Sequence, residues 1–111
     1  MSSLDPRLVY KVCAAPEWSA AVATGTYVGS PVDRRDGFIH LSAAAQLEET
    51  LRRHFAGQRD LLLVAIDPDA VGAGLRWEPS RGGELFPHLY GELPVALARW
   101  VRAIEAPPLR P

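Results

Sequence analysis

Histidine is the one side chain whose ordinary titration falls between about pH 5 and 8, and this chain carries two in matching aromatic-x-His frames. They are Gly37-Phe38-Ile39-His40-Leu41-Ser42 and Phe86-Pro87-His88-Leu89-Tyr90-Gly91. Read as strands, the first sets Phe38, His40 and Ser42 on one face and Ile39 and Leu41 on the other. The second sets Phe86, His88 and Tyr90 against Pro87 and Leu89. An aliphatic face packed on a core, backed by a face of aromatic, imidazole and hydroxyl groups, is how a sheet lines a polar pocket. Structural hydrogen bonding is the plainer role for each histidine, and the repetition of the frame is what favours a shared ligand site. His54, between Arg53 and Phe55, reads as a helix-boundary residue.

Other groups have chemistry with an ordinary alternative. Glu78 follows Trp77 shortly before the second frame, where a carboxylate stabilises positive charge on a reacting sugar or orients a hydroxyl; a solvated strand end is the alternative. Trp77 reads as core, or else as a stacking wall for a planar ring. Lys11 sits mid-strand, where its ammonium suits a phosphate or else protects a sheet edge. Arg34 and Arg35 are within reach of an anion or simply solvated. Cys13 is the only cysteine and, between Val12 and Ala14, reads as a small core residue. No Gly-rich phosphate loop, Cys-x-x-Cys, His-Glu-x-x-His or Gly-x-Ser-x-Gly occurs. No metal is expected, because His40, His88 and one carboxylate lack a ligand-spacing motif.

The elements that must position these groups follow from periodicity and punctuation. Residues 8–14 make a first strand, and Pro16 opens a helix through Trp18, Ala21 and Val22 that stops at Gly25. A short strand at 26–28 precedes a surface loop over 29–35. Ser42 is suited to cap a helix over 43–55, with Ala44, Leu47, Leu51 and Phe55 as its apolar stripe. The continuous run Leu61-Leu62-Leu63-Val64-Ala65-Ile66 reads as a central strand buried on both faces. Residues 75–78 form another strand, residues 80–83 a turn, and the tail from Pro94 a helical turn followed by a strand. Pro107 and Pro108 mark a frayed end. The fold class is α+β with two or three helices in a single domain over 1–111, its core spanning 8–104.

At 111 residues, 48% hydrophobic and 23% charged, the chain is an ordinary globular domain that buries roughly two thirds of its unfolded surface. A net charge of −1 argues against non-specific nucleic-acid or anionic-membrane binding. Arginine supplies eleven of the twelve basic residues. No secretory leader or membrane span is evident, and a lone cysteine suits a reducing compartment, so a soluble cytoplasmic protein is expected.

The residues also resemble a family. Tyr10-Lys11-Val12, Trp18, Gly25-Thr26-Tyr27, Asp36 to Ser42, Gln46-Leu47, Trp77-Glu78 and Phe86 to Gly91 closely resemble the small bacterial family known as domain of unknown function 952. The resemblance runs from about Leu8 to Ile104. It implies a fold similar to the ADP-ribosyltransferases, a split β-sandwich with NAD held between two small sheets. A more distant similarity is to the RNA 2′-phosphotransferases, matched by His40-Leu41-Ser42 and the strand Leu62 to Asp67. Those enzymes carry Arg-His on the first strand where this chain has Tyr10-Lys11, and their RNA-binding domain has no counterpart here. Where many ADP-ribosyltransferases use a late-strand glutamate, this chain has His88.

The leading expectation is an enzyme acting on NAD or a related nucleotide as an ADP-ribosyl or phosphoryl transferase. Lys11 and an arginine would neutralise the pyrophosphate, Trp77 or Tyr90 stack on a ring, His40 hold ribose hydroxyls, and His88 or Glu78 stabilise the sugar cation, with Ser42 a further ligand-binding residue. The alternatives are a binding module for a small anionic metabolite or modified protein group, and a metal-assisted hydrolase.

Overall fold

Six consecutive apolar residues, Leu61 to Ile66, need cover on both faces, and the architecture is built around that need. The computed structural model describes residues 4–104. In chain order its elements are β1 (Val9–Ala14), α1 (Ala15–Thr24), β2 (Thr26–Tyr27), α2 (Pro31–Asp36), β3 (Ile39–His40), β4 (Ser42–Ala43), α3 (Leu47–His54), β5 (Leu61–Ile66), α4 (Pro68–Val71), β6 (Leu75–Pro79), β7 (Leu85–Leu89), β8 (Leu93–Pro94) and β9 (Ala98–Ile104). The main sheet has the order β4-β1-β5-β9, a second has β3-β7-β6, and β2 pairs with β8. All pairings are antiparallel. The class is α+β.

Alternation along β5 divides the core. Leu61, Leu63 and Ala65 pack with Tyr10, Val12, Leu47 and Leu51 beneath α3, while Val64 and Ile66 pack with Val9, Cys13, Trp18, Tyr27, Ile39, Leu41, Leu89 and Leu93. Lys11 shares the second face with Val9 and Cys13, so its side chain is directed toward the smaller sheet. In that sheet Ile39 and Leu89 point into the core, and the opposite, polar face is left for a cavity.

The expected helix α1 forms with Pro16 in its first turn and Gly25 closing it at φ 91°. The tail folds as a helical turn at Val95–Leu97 followed by β9. Other expectations are corrected. The loop at 29–35 is instead the helix α2, opened by a capping box in which the Ser30 hydroxyl accepts from the Asp33 amide at 3.2 Å and the Asp33 carboxylate accepts from the Ser30 amide at 2.9 Å. With α4, the helices number four among the described residues. The helix at 43–55 divides into a 3₁₀ turn, Ala44–Gln46, and α3. Ser42 does not cap it; its hydroxyl bonds Thr50 Oγ1 at 3.0 Å, and the Gln46 side chain accepts from the Ala43 amide instead. Trp77 is 47% exposed rather than core. The Pro107-Pro108 end lies outside the described residues. Among those residues no helix is long and apolar enough to cross a membrane.

Candidate active site: two carboxylate–histidine pairs on one sheet face

Strands β3 and β7 pair so that His40 lies directly opposite His88, and the imidazole centroids are 5.7 Å apart in an edge-on arrangement. Cross-strand partners share a face, so the two frames converge as their alternation predicts. Phe38 stacks on His88 at 4.1 Å and tilts against His40 at 4.6 Å, and Tyr90 lies 5.3 Å from Phe38. A cavity of about 720 Å³ opens beside this face, lined by Lys11, Asp33, Asp36, His40, Ser42 and His88 among others. That volume falls within the range of small-molecule pockets, about 300–1,000 Å³.

Each histidine has its own carboxylate. His88 is buried, and its Nδ1 lies 2.8 Å from Glu78 Oε1, the oxygen that also accepts from the Tyr90 hydroxyl at 2.7 Å. These two hydrogen bonds, that of His88 first, hold the Glu78 carboxyl below the usual range, and the same contact raises the Tyr90 phenol. An ionised carboxylate only accepts, so it places a proton of His88 on Nδ1 and leaves Nε2 as the nitrogen free for other chemistry. Nε2 has no hydrogen-bond partner among the described residues.

His40 is held differently. Its Nδ1 is 2.6 Å from Asp33 Oδ1 and its Nε2 is 3.0 Å from Asp36 Oδ2. Acceptors on both nitrogens are satisfied together only by an imidazolium. Asp33 is the hub of the network: it also accepts from the His40 amide at 3.0 Å and pairs with the Lys11 ammonium at 2.7 Å, while Lys11 donates to the His40 carbonyl at 3.1 Å. Burial by itself would raise the Asp33 carboxyl, but the His40 hydrogen bond and the Lys11 charge outweigh it and hold it far below the ordinary value. Asp36 is also lowered, first by Arg35 and less by His40.

The expected site residues therefore separate into groups. His40, His88, Lys11 and Ser42 line the cavity. Glu78 and Tyr90 stand behind His88, and Glu78 acts on the cavity through that ring rather than as its wall. Trp77 projects from the other face of β6 and contributes nothing to the lining. For Lys11 the edge-protection reading is corrected, because β1 is an interior strand; its ammonium lines the cavity and is paired there with Asp33. Arg35 is engaged by Asp36 at 3.0 Å. Cys13 is a core residue whose thiol burial pushes up to about 12. Asp33 and Asp36 were absent from the expected set, though Ser30-Pro31-Val32-Asp33 spells a capping box that would have announced the helix carrying them. Among the described residues no three His, Cys, Asp or Glu side chains gather as a metal would require.

A family model described as protein of unknown function (DUF952) matches residues 12–101. Among solved structures, the chain is similar to the protein CC0527 from Caulobacter crescentus. Its crystal structure is 44% identical, with a TM-score of 0.86 over 92% of this chain and 91% of that one. Its solution structure is 45% identical, with a TM-score of 0.81 over 89% and 85%. No curated protein matches the sequence.

Proposed function

Since the chain belongs to the DUF952 family, with His40 and His88 inside the matched region, we propose that the histidine cavity is the active site of a transferase acting on NAD or a related nucleotide. The observation that carries this reading is the buried His88, oriented through Nδ1 by Glu78 at the lining of a cavity of about 720 Å³. A carboxylate that fixes the tautomer of a histidine makes its other nitrogen a competent general base. In ADP-ribosyl transfer, the acceptor oxygen forms a bond to the anomeric carbon as the C–N bond to nicotinamide breaks. Nicotinamide leaves neutral, and the acceptor proton passes to His88 Nε2. The resemblance to ADP-ribosyltransferases supports a nucleotide in such a cleft, and Arg35 and Arg53 at its lining, held in exposed pairs with Asp36 and Glu49, are better placed than the buried Lys11–Asp33 pair to exchange a partner for a phosphate.

The non-catalytic binding module is the second reading, favoured by the internal saturation of Asp33, Lys11 and His40. A thermal-shift screen with NAD, mononucleotides and sugar phosphates tests both, since a ligand at about 100 times its dissociation constant adds about 2.7 kcal/mol. Release of nicotinamide then separates enzyme from module. In the enzyme, His88→Gln and Glu78→Gln each lower kcat by roughly 100-fold with KM little changed. Absence of any nucleotide stabilisation refutes the nucleotide reading, and turnover unaffected by His88→Gln refutes the assignment of the base.

A further inference from the structure

We propose that Asp36 occupies, in the free protein, the position of a substrate oxyanion, and that His40 Nε2 with the Arg35 guanidinium forms an anion-binding subsite for a phosphate group. This rests on the reading of the cavity as a nucleotide site and names the part of the ligand that His40 receives.

The two carboxylates on His40 are unlike. Asp33 is 2% exposed and bound on both oxygens by Lys11, His40 and two backbone amides. It fixes the ring, and with it the direction in which Nε2–H points. Asp36 has a side chain 31% exposed, lines the cavity, and among the described residues is bound by His40 Nε2 at 3.0 Å and the 72%-exposed Arg35 at 3.0 Å. Rotation about its χ1 frees His40 Nε2 and one guanidinium together, at little cost for an exposed side chain. A phosphate oxygen accepts from both more strongly than a monovalent carboxylate does.

The charges around the subsite agree. Lys11 and Asp33 cancel as a buried pair, and Arg35 and His40 share the single negative charge of Asp36. With Asp36 turned away, the Arg35 guanidinium and the His40 imidazole face an incoming phosphate that supplies up to two negative charges. His88 lies directly opposite His40 on the paired strand, with ring centroids 5.7 Å apart, so the proposed base and the anion site are neighbours on one sheet face. The base and the anion site thus bracket one reacting region.

The test uses inorganic phosphate as probe and follows the imidazole and backbone resonances of the full chain by NMR. Asp36→Asn lowers the phosphate dissociation constant by roughly tenfold, since it removes a competing unit charge a few Å from the bound anion. The shifts centre on His40 and Arg35. Asp36→Glu keeps the charge and stays near the unmodified affinity, and the melting temperature of each variant confirms that the fold is retained. Equal phosphate affinity in Asp36→Asn and the unmodified protein overturns the proposal, as do shifts centred on Arg53 and His54. Tightening by Asp36→Asn without any binding of nucleotides preserves the anion subsite and removes the nucleotide reading. Nucleotide binding without tightening does the reverse.

Discussion

Replacing Asp33 by Asn retains its shape and removes its charge, which makes it the sharpest probe of how the site is held. The carboxylate binds Lys11 Nζ at 2.7 Å and His40 Nδ1 at 2.6 Å, and it accepts two backbone N–H groups. The Lys11 side chain is 5% exposed, so the substitution leaves an ammonium buried without a counter-charge. Removing one partner of such a pair costs about 3–5 kcal/mol, a large share of the roughly 5–15 kcal/mol that stabilises a domain. With a urea m-value of about 2 kcal/mol per molar, the unfolding midpoint at pH 7 falls by about 2 M. The pH dependence changes as well. A carboxyl depressed in the folded state contributes stability that is complete above its unfolded value of about 3.9 and is lost as pH falls through the folded value. The acid side of the stability profile therefore flattens in Asp33→Asn below about pH 4. Adding Lys11→Met removes the stranded charge and recovers part of the loss. A cost of less than about 1 kcal/mol for the single variant, or simple additivity of the two substitutions, refutes the buried-pair account.

Further outcomes follow from the same geometry. Gly29→Ala destabilises by about 1–3 kcal/mol in urea unfolding, because φ is +110° and the added Cβ would meet Asp33 Cβ at 2.8 Å. Tyr90→Phe raises the Glu78 carboxyl toward its ordinary value, seen in a carboxyl-resolved NMR titration, since it deletes one of the two hydrogen bonds that lower it. Cys13 resists thiol reagents in the native protein at pH 8 and reacts on unfolding, because it is 2% exposed and its thiol is pushed up to about 12. Trp77→Ser, at an exposed position, changes stability by no more than about 0.5 kcal/mol and leaves nucleotide binding unaltered.

Period-two alternation made the two histidine strands legible, because each buries Ile39 or Leu89 on one side and must then direct His40 or His88 to the other. The apolar run at Leu61 to Ile66 announced a central strand for the same reason. The partners of the histidines were hidden, since a carboxylate seven residues from its imidazole, as Asp33 is from His40, becomes its neighbour only once a six-residue helix has formed between two glycine-bounded turns. Helices this short carry little periodicity, and the capping box was the one local signal available. Lys11 misled for a related reason. A lysine amid apolar residues suggests an edge or a phosphate as long as its counter-ion is out of sight, and Asp33 lies 22 positions further along the chain. Burying the pair fixes α2 against β1, and that in turn fixes His40 from behind, so the polarity of one side chain in the first strand determines the orientation of an imidazole in the third. The two histidines then differ for a physical reason no spacing rule contains: His40 has a carboxylate at each ring nitrogen and, among the described residues, His88 has one, so a matched pair of residues is held in two different ways.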